Sequence, residues 1–182
     1  MDTELTEIVR RCQKNDRKAQ ELLYRRFSAV LFSICQRYSD SYENAQDTFQ
    51  EGFILIFKKI GQFSFSGSVE GWMKRIMVNL NLEKHRNKEV WLTEIEENIP
   101  LIDEGEDKEN EFHNVGYDDL IGYIQRLPPQ YRQVFNLYVF EEYSHNEIAE
   151  HLKISPGTSK SNLSRARELL RKELTKIKHK AE

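Results

Sequence analysis

The sequence has little of several features that would point to other kinds of protein. Eight glycines and four prolines in 182 residues are few, whereas β-rich architectures need many turn residues. No run of about 18 apolar residues, the length of a membrane-spanning helix, occurs in it, and its first residues lack the apolar core of a secretory signal. The composition predicts a helical protein that is located in the cytoplasm and does not bind membranes.

Cysteine is also scarce, since only Cys12 and Cys35 are present. They form no CxxC motif and are too few for a disulfide framework or a cysteine-rich zinc site, so both are expected to be buried, reduced thiols. His145 and His151 lack a metal-ligand pattern and are predicted to be surface or cap residues. The sequence has no glycine-rich phosphate loop and no nucleophile paired with a base. These absences predict a protein that is not an enzyme and needs no cofactor or metal.

The net charge of −3 hides a strong asymmetry along the chain. Residues 72–88 carry five bases and one acid, residues 89–119 carry 12 acids and one base, and residues 151–182 carry nine bases and three acids. Two basic blocks are therefore separated by an acidic one. Charge patterning of this kind concerns the partners of a protein rather than its fold.

Apolar residues recur at spacings of three and four through the N-terminal half, which is the period of amphipathic helices. The pattern predicts helices over 16–39, with Asp16 as N-cap, and over 41–60. Residues 61–68 break the period with glycine and serine and indicate a loop, and a third helix is predicted over 69–88. The predicted apolar stripe of the first of these helices consists of Ala19, Leu22, Leu23, Phe27, Val30, Leu31 and Ile34.

The acidic stretch 89–116 has no sustained period and contains a proline and two glycines, which predicts a flexible linker. Four further helices are predicted after it. The predicted fold is therefore all-α, with a helical bundle over 1–88, the acidic linker over 89–116 and a second small helical domain over 117–182.

The last two predicted helices have the pattern of a helix-turn-helix. Ser144 caps the first helix, Ile154 lies in the turn, and Ser155 with Pro156 begins the second helix. The side of the second helix opposite its apolar residues carries hydroxyls and cations with few acids, which fits a DNA major groove. A helical hairpin with a solvated basic face is the alternative. The predicted groove-facing residues are Thr158, Lys160, Ser161, Ser164, Arg165 and Lys172.

Two polar helix faces in the N-terminal half also favour contacts with macromolecules. One lies opposite the apolar stripe of the helix over 41–60 and consists of Asp47, Gln50, Glu51, Ile54 and Lys58. The other, on the helix over 69–88, consists of Trp72, Arg75, Asn79 and Arg86. An aromatic, an amide and two cations side by side suit stacking on single-stranded nucleic acid. Two simpler interpretations stay open. Trp72 can be a core residue, and Asp47 and Glu51 can be an ordinary pair of surface acids on a helix.

Three stretches, taken in order, resemble the sigma-70 family of bacterial RNA polymerase specificity factors, in its short extracytoplasmic-function (ECF) group. "AQDTFQEGFILIFKKIGQF" is similar to the polymerase-binding helix of the family's second region, and "FSFSGSVEGWMKRIMVNL" to its promoter-melting and −10-reading segment. Residues 127–174 are similar to its fourth region. The resemblance covers residues 19–88 and 120–178.

The resemblance implies a sigma factor that binds core RNA polymerase, through the clamp coiled coil of the largest subunit and the flap, and that reads promoter DNA in duplex and single-stranded form. It assigns the face from Asp47 to Lys58 to the clamp. It assigns the capture of a base flipped from the −10 element to the loop Ser64, Phe65, Ser66, Gly67 and Ser68. It implies that Trp72, Arg75, Asn79 and Arg86 line or support the path of this strand. It assigns the −35 element to Ser155, Thr158, Lys160, Ser161, Ser164 and Arg165. An anti-sigma factor stays open as a further partner.

The sequence departs from the family's pattern at Lys160 and Ser164, where relatives often carry Arg and a bulkier residue, and this leaves the −35 preference open. Two other functions are alternatives. One is a conventional helix-turn-helix regulator that binds an operator as a dimer without being a sigma factor. The other is a helical adaptor whose basic helix is only solvated surface. A regulator would bind DNA tightly by itself, whereas a sigma factor needs core polymerase for specific binding.

Overall fold

The computed structural model describes residues 3–88 and 116–178, and the side chains of residues 3–84 and 116–175. All regular elements in those ranges are helical, which confirms the all-α prediction. They fall into two units, Met1–Lys88 and Glu89–Glu182. Apart from Gly116, the predicted linker lies outside the described residues, as does the side chain of Arg86. The elements are α1 (Thr3–Gln13), α2 (Arg17–Tyr38), α3 (Tyr42–Lys59), a short 3-10 helix (Ile60–Gln62), α4 (Val69–Lys88), α5 (Tyr117–Arg126), α6 (Pro129–Val139), α7 (His145–Leu152) and α8 (Pro156–Lys178).

Asp16 joins α1, which no sequence pattern had singled out, to α2. Its Oδ1 accepts hydrogen bonds from the backbone N–H groups of Lys18 (2.9 Å) and Ala19 (3.2 Å), which confirms the predicted N-cap. Its Oδ2 accepts from Arg11, at 2.9 Å from Nε and 2.7 Å from Nη2. The Arg11 hydrogen bond, followed by those of the backbone, holds the pKa of Asp16 below its ordinary value. One carboxylate thus links the end of α1 to the start of α2.

The apolar side of α2 is the centre of the first unit, where α1, α3 and α4 all pack against it. Leu23 and Leu31 have no exposed surface, and Ile34 is also buried. The prediction for Leu22 was wrong, because 46% of its surface is exposed. At about 100° per residue, position 22 lies on the far side of Ala19 from the rest of the stripe, so it points past the core.

Gly52 allows α3 to approach α4 closely. A Cβ at this position would collide with Sδ of Met77 and stand 2.7 Å from its Cε, and Met77 is fully buried. One turn further along α4, the Asn81 amide donates to the Met77 carbonyl at 2.8 Å and lies 3.7 Å from Sγ of Cys35. This contact sets the directions of the two helices whose outer faces carry the predicted polymerase and −10 residues.

The second unit packs α5, α6 and α7 against α8. Ile124, Leu137, Ile148 and Ala166, one from each of these four helices, have no exposed surface. Because the apolar side of α8 is used in this way, its opposite side is left for other contacts. None of the helices in the described ranges combines the length and the apolarity that a membrane span requires.

Gly52→Val should lower the free energy of unfolding of the first unit by about 2 kcal/mol, as overpacking of a filled core usually does. The added methyl groups cannot fit unless Met77 moves. Thermal unfolding followed by circular dichroism measures the effect. Gly71→Val is the matched control, because a Cβ there has only Ser68 Cβ near it, at 3.8 Å. An equal loss of stability in both variants would contradict the close approach at Gly52.

Cys12 and Cys35 should resist thiol reagents in the folded protein. Both are fully buried and free, as the sequence predicted, and burial raises the pKa of each thiol from 9.0 to about 11 because the thiolate would lose its hydration. The stability linked to these neutral thiols is complete below pH 9.0 and is lost as the pH rises toward about 11.

At pH 8 we therefore expect a disulfide-exchange reagent to label both cysteines rapidly in denaturant and neither in the native chain. Absorbance of the released thiol measures the number of reacted groups. Rapid stoichiometric labelling of the native protein would contradict the burial of the thiols.

Candidate nucleic-acid interface

The outer side of α3 brings five predicted contact residues together, and we call it the α3 face: Asp47, Gln50, Glu51, Ile54 and Lys58, all exposed. Ile54 is the most unusual of them, because 68% of the surface of this large aliphatic side chain is exposed. Glu51 is held by an ion pair, with Oε1 2.8 Å from Nζ of Lys84 on α4. An apolar side chain within a rim of polar groups is typical of protein–protein interfaces.

The loop between the 3-10 helix and α4, residues 63–68, is rich in hydroxyl groups. The hydroxyls of Ser64 and Ser66 lie 3.0 Å apart, and Ser68 Oγ accepts a hydrogen bond from the N–H of Gly71 at 3.3 Å. Phe65 is half-buried and has a φ of 61°, a left-handed conformation that bulky residues rarely adopt. The exposed members of the loop are Ser64, Ser66, Gly67 and Ser68.

A row of aromatic rings connects this loop to α4. The ring of the buried Phe63 lies 5.1 Å from that of Phe65 and 5.5 Å from that of Trp72. Trp72 is half-buried, so it contributes to the core edge and still presents part of its surface. Arg75 and Asn79 are exposed on the same helix. The arrangement offers aromatic surface for stacking next to a cation and an amide.

Hydrogen bonds at the starts of both helices shape the helix-turn-helix formed by α7 and α8. The Ser144 N–H donates to Glu147 Oε2 at 2.8 Å and the Glu147 N–H donates to Ser144 Oγ at 3.3 Å, which is a capping box. The Ser144 hydrogen bonds hold the pKa of Glu147 below its ordinary value. Lys153 ends α7 with a left-handed φ of 56°. Ser155 Oγ accepts from the Thr158 N–H at 2.9 Å, so both predicted N-caps are confirmed.

The predicted −35 residues lie at the start of α8, and we call them the reading face. Ser161 Oγ donates to the Thr158 carbonyl at 3.0 Å, so its hydroxyl is tied to the helix backbone. Arg165 Nη1 donates to the hydroxyl of Tyr131 on α6 at 3.2 Å, which restrains the direction of the guanidinium. The set consists of Ser155 and Lys160, which are exposed, and Thr158, Ser161, Ser164 and Arg165, which are half-buried.

A buried polar contact between α7 and α8 was missed by the sequence analysis. Ser159 has no exposed surface, and its Oγ lies 2.9 Å from Nδ1 of His145. The imidazole stacks on the ring of Tyr138 at 4.8 Å between centroids. The prediction of His145 as a surface or cap residue was therefore incomplete, because it begins α7 and also bonds to α8. One signal was available, since Ser159 is four residues before the apolar Leu163 and shares its side of the helix.

Lys172 has local partners further along α8. Its Nζ lies 2.6 Å from Oε1 of Glu168. It also lines a groove of about 670 Å³ between α5 and α8, with Tyr123, Leu127 and Leu170 among the other walls. We therefore take the reading face to end at Arg165.

The described side chains do not build a metal centre, because within those ranges no three His, Cys, Asp or Glu side chains are grouped as metal ligands would be. His145 is bonded to Ser159, as described above. The ring of His151 lies 5.1 Å from that of Tyr143. Both histidines thus have aromatic or hydroxyl neighbours.

Two family models match the chain. The model of sigma-70 region 2 matches residues 23–90, and that of sigma-70 region 4 matches residues 117–170. The ECF RNA polymerase sigma factor SigW of Bacillus subtilis (strain 168) is 28% identical over 184 residues, covering 96% of this chain and 98% of the relative. The RNA polymerase sigma-H factor of Pseudomonas aeruginosa is 26% identical, and the match covers 96% of each chain.

Solved structures show the same fold. The sigma factor RpoE of Bartonella quintana, in complex with the anti-sigma factor NepR, matches with a TM-score of 0.52 at 19% identity, covering 86% of this chain and 96% of that one. CnrH, in complex with the cytosolic domain of CnrY, matches with a TM-score of 0.50 at 16% identity, covering 92% of this chain and 95% of that one. At these identities the likeness concerns the fold.

Ser159→Ala should lower the free energy of unfolding of the second unit by about 1 kcal/mol, the net contribution of one intramolecular hydrogen bond. His145 would lose its buried partner. Ser161→Ala, two positions along the same helix, removes only a hydrogen bond to the local backbone and should change stability by less than about 0.5 kcal/mol. Urea unfolding of both variants measures the difference. A larger loss in Ser161→Ala would contradict the interhelical role of Ser159.

Proposed function

The chain belongs to the sigma-70 family of RNA polymerase sigma factors, and on that basis we propose that it acts as a sigma factor of the ECF type. It binds core RNA polymerase and directs promoter-specific initiation of transcription, reading the −10 and −35 elements and helping to open the DNA. The main support for this proposal is that the region 2 match and the region 4 match follow each other along the chain in the order of the family. The region 2 match falls almost wholly in the first structural unit, and the region 4 match falls in the second.

The proposed domain limits are 1–88 for polymerase binding and −10 recognition, 89–116 for the acidic linker, and 117–182 for −35 recognition. The chain works by binding rather than by covalent chemistry, so it is not an enzyme and needs no cofactor. It acts in the cytoplasm, where bacterial RNA polymerase transcribes. An anti-sigma factor is a further proposed partner, since the similar RpoE of Bartonella quintana was solved with one.

The α3 face is the proposed contact with the clamp coiled coil of the polymerase largest subunit. Its chemistry supports this assignment, because the exposed Ile54 provides an apolar anchor and Asp47, Gln50 and Lys58 provide a polar rim. The ion pair of Glu51 with Lys84 restrains one carboxylate of the face before the partner arrives. A pre-oriented side chain loses less conformational freedom on binding.

The loop 63–68 and the outer side of α4 are the proposed −10 site. Extruding a base from a duplex costs a few kcal/mol of stacking and pairing energy, and stacking on an aromatic side chain returns about 1–3 kcal/mol per base. Phe65 and Trp72 are half-buried, so both keep surface that a base can use. Arg75 and Asn79 are exposed beside them and are suited to the strand backbone and to base edges.

The reading face of α8 is the proposed −35 site. In a helix-turn-helix the N-terminal residues of the second helix contact base edges in the major groove. Hydroxyls at Ser155 and Thr158 let the helix approach closely, and Lys160 and Arg165 supply cations for guanine or phosphate. The Tyr131 hydroxyl holds the Arg165 guanidinium in place before DNA binds.

Run-off transcription with core polymerase and the purified chain tests the function. On a broad library of templates, we expect promoter-specific transcripts above those of core alone. If none appears, the proposed function is overturned. Tight operator binding without core polymerase would instead favour a conventional regulator.

Arg165→Ala should then reduce the transcript from a selected promoter roughly tenfold, the typical effect of removing one arginine contact to a base. Arg25→Ala is the matched control, since Arg25 lies on α2 in an exposed ion pair with Glu21 at 2.6 Å. It should leave the transcript unchanged. Equal effects of the two substitutions would contradict the placement of Arg165 in the −35 site.

A further inference from the structure

Helix α1 lies outside the region 2 match, which begins at residue 23, yet two of its side chains reach the proposed −10 loop. The Gln13 amide nitrogen donates to the backbone carbonyls of Ile60, at 3.1 Å, and Phe63, at 2.9 Å. The Arg10 guanidinium lies over the ring of Phe65, with Cζ 5.6 Å from the centroid. The loop is thus attached to a helix that none of the motifs includes.

The Gln13 contacts fix the point where the loop begins. A primary amide carries two donor hydrogens, and both are directed at carbonyls, one from the start of the 3-10 helix and one from the first residue after it. Because the two acceptors are three residues apart, one side chain holds the whole turn. Gln13 is itself half-buried, which strengthens these hydrogen bonds.

Arg10 contacts the loop at Phe65, where the backbone conformation is strained. Phe65 has a left-handed φ of 61°, and a bulky residue keeps such a conformation only when its surroundings enforce it. The Phe65 ring contacts both the guanidinium of Arg10 and the ring of Phe63, which in turn contacts Trp72. A cation over an aromatic ring is attracted to it, so Arg10 stabilises this placement of the ring.

Helix α1 is a firm support for these contacts. Val9 and Cys12 are fully buried in the first unit. Arg11 is held by the carboxylate of Asp16, which also caps α2. Arg10 and Gln13 therefore extend toward the loop from a helix that is fixed at both its apolar side and its end.

We propose that Gln13 and Arg10 are positioning residues for −10 recognition: they hold the loop 63–68 in the conformation that accepts the flipped base. This inference rests on the proposed function of the loop. Through these two residues α1 contributes to the discrimination among bases, although α1 does not have to contact the base.

Gln13→Glu tests the role of the amide. Glutamate has nearly the same shape as glutamine, but its carboxylate cannot donate hydrogen bonds to the two carbonyls. We expect the rate of promoter opening to fall about tenfold, and the preference for the favoured base at the flipped position to shrink by a similar factor. Affinity for core polymerase and dependence on the −35 element should stay unchanged, which a merely destabilised fold would not allow. Fluorescence of 2-aminopurine beside the flipped base measures opening, and anisotropy measures core binding.

Arg10→Ala should weaken base discrimination in the same way, and Arg10→Lys should restore part of it, because lysine keeps a cation near the Phe65 ring. Lys18→Ala is the matched control, since it removes an exposed cation that is not part of the Arg10 and Gln13 contacts with the loop. Its base discrimination should equal that of the unaltered chain.

A second readout does not depend on transcription. In a Trp91→Phe background, Trp72 is the remaining tryptophan, and its quenching by acrylamide should rise about twofold in Gln13→Glu as the loop loosens. Unchanged quenching and unchanged base discrimination in Gln13→Glu would overturn the inference while leaving the proposed function intact. If the unaltered chain gives no promoter-specific transcript, the proposed function fails and the inference fails with it.

Discussion

The burial of α2 against three other helices is the interaction on which the first unit depends. With Leu23 and Leu31 fully enclosed, α1, α3 and α4 each have only one side that can face inward. Their outer sides are thereby directed to solvent, and these are the sides that carry the α3 face and the proposed −10 residues. At about 25 cal/mol per Å² of apolar surface, this burial contributes far more than any single polar contact.

In the second unit, polar contacts decide details that apolar packing leaves undetermined. Ile148 and Leu163 are buried between α7 and α8, but apolar burial is not directional. The hydrogen bond between His145 and Ser159 requires a particular alignment, because a buried hydroxyl without a partner would cost about 1–3 kcal/mol. The capping box at Ser144 and the cap at Ser155 then define where each helix begins. These few polar contacts hold the helix pair, and with it the reading face proposed for the −35 element, in one arrangement.

The proposed mechanism joins several modest contacts on one chain. A partly exposed aromatic row, the basic face of α8 and an exposed isoleucine would each bind weakly alone. Linked by 28 residues, from 89 to 116, and gathered by the polymerase, the two DNA contacts act at a high effective concentration. Specificity then depends on both promoter elements being present together, which fits a protein that needs its polymerase partner for selective DNA binding.

The sequence by itself determined most of the local structure. Asp16, Ser144 and Ser155 mark helix starts through hydrogen bonds with residues two or three positions away. Pro156 marks one because its fixed φ suits the first helical position, and the three-and-four spacing of apolar residues identifies the inward sides. Only the tertiary structure decided that Glu51 pairs with Lys84, that Ser159 meets His145, and that Gln13 holds Ile60 and Phe63. The physical reason is range: periodicity and caps are set by neighbours along the chain, whereas these contacts join residues 14 to 50 positions apart, whose meeting depends on how whole helices pack.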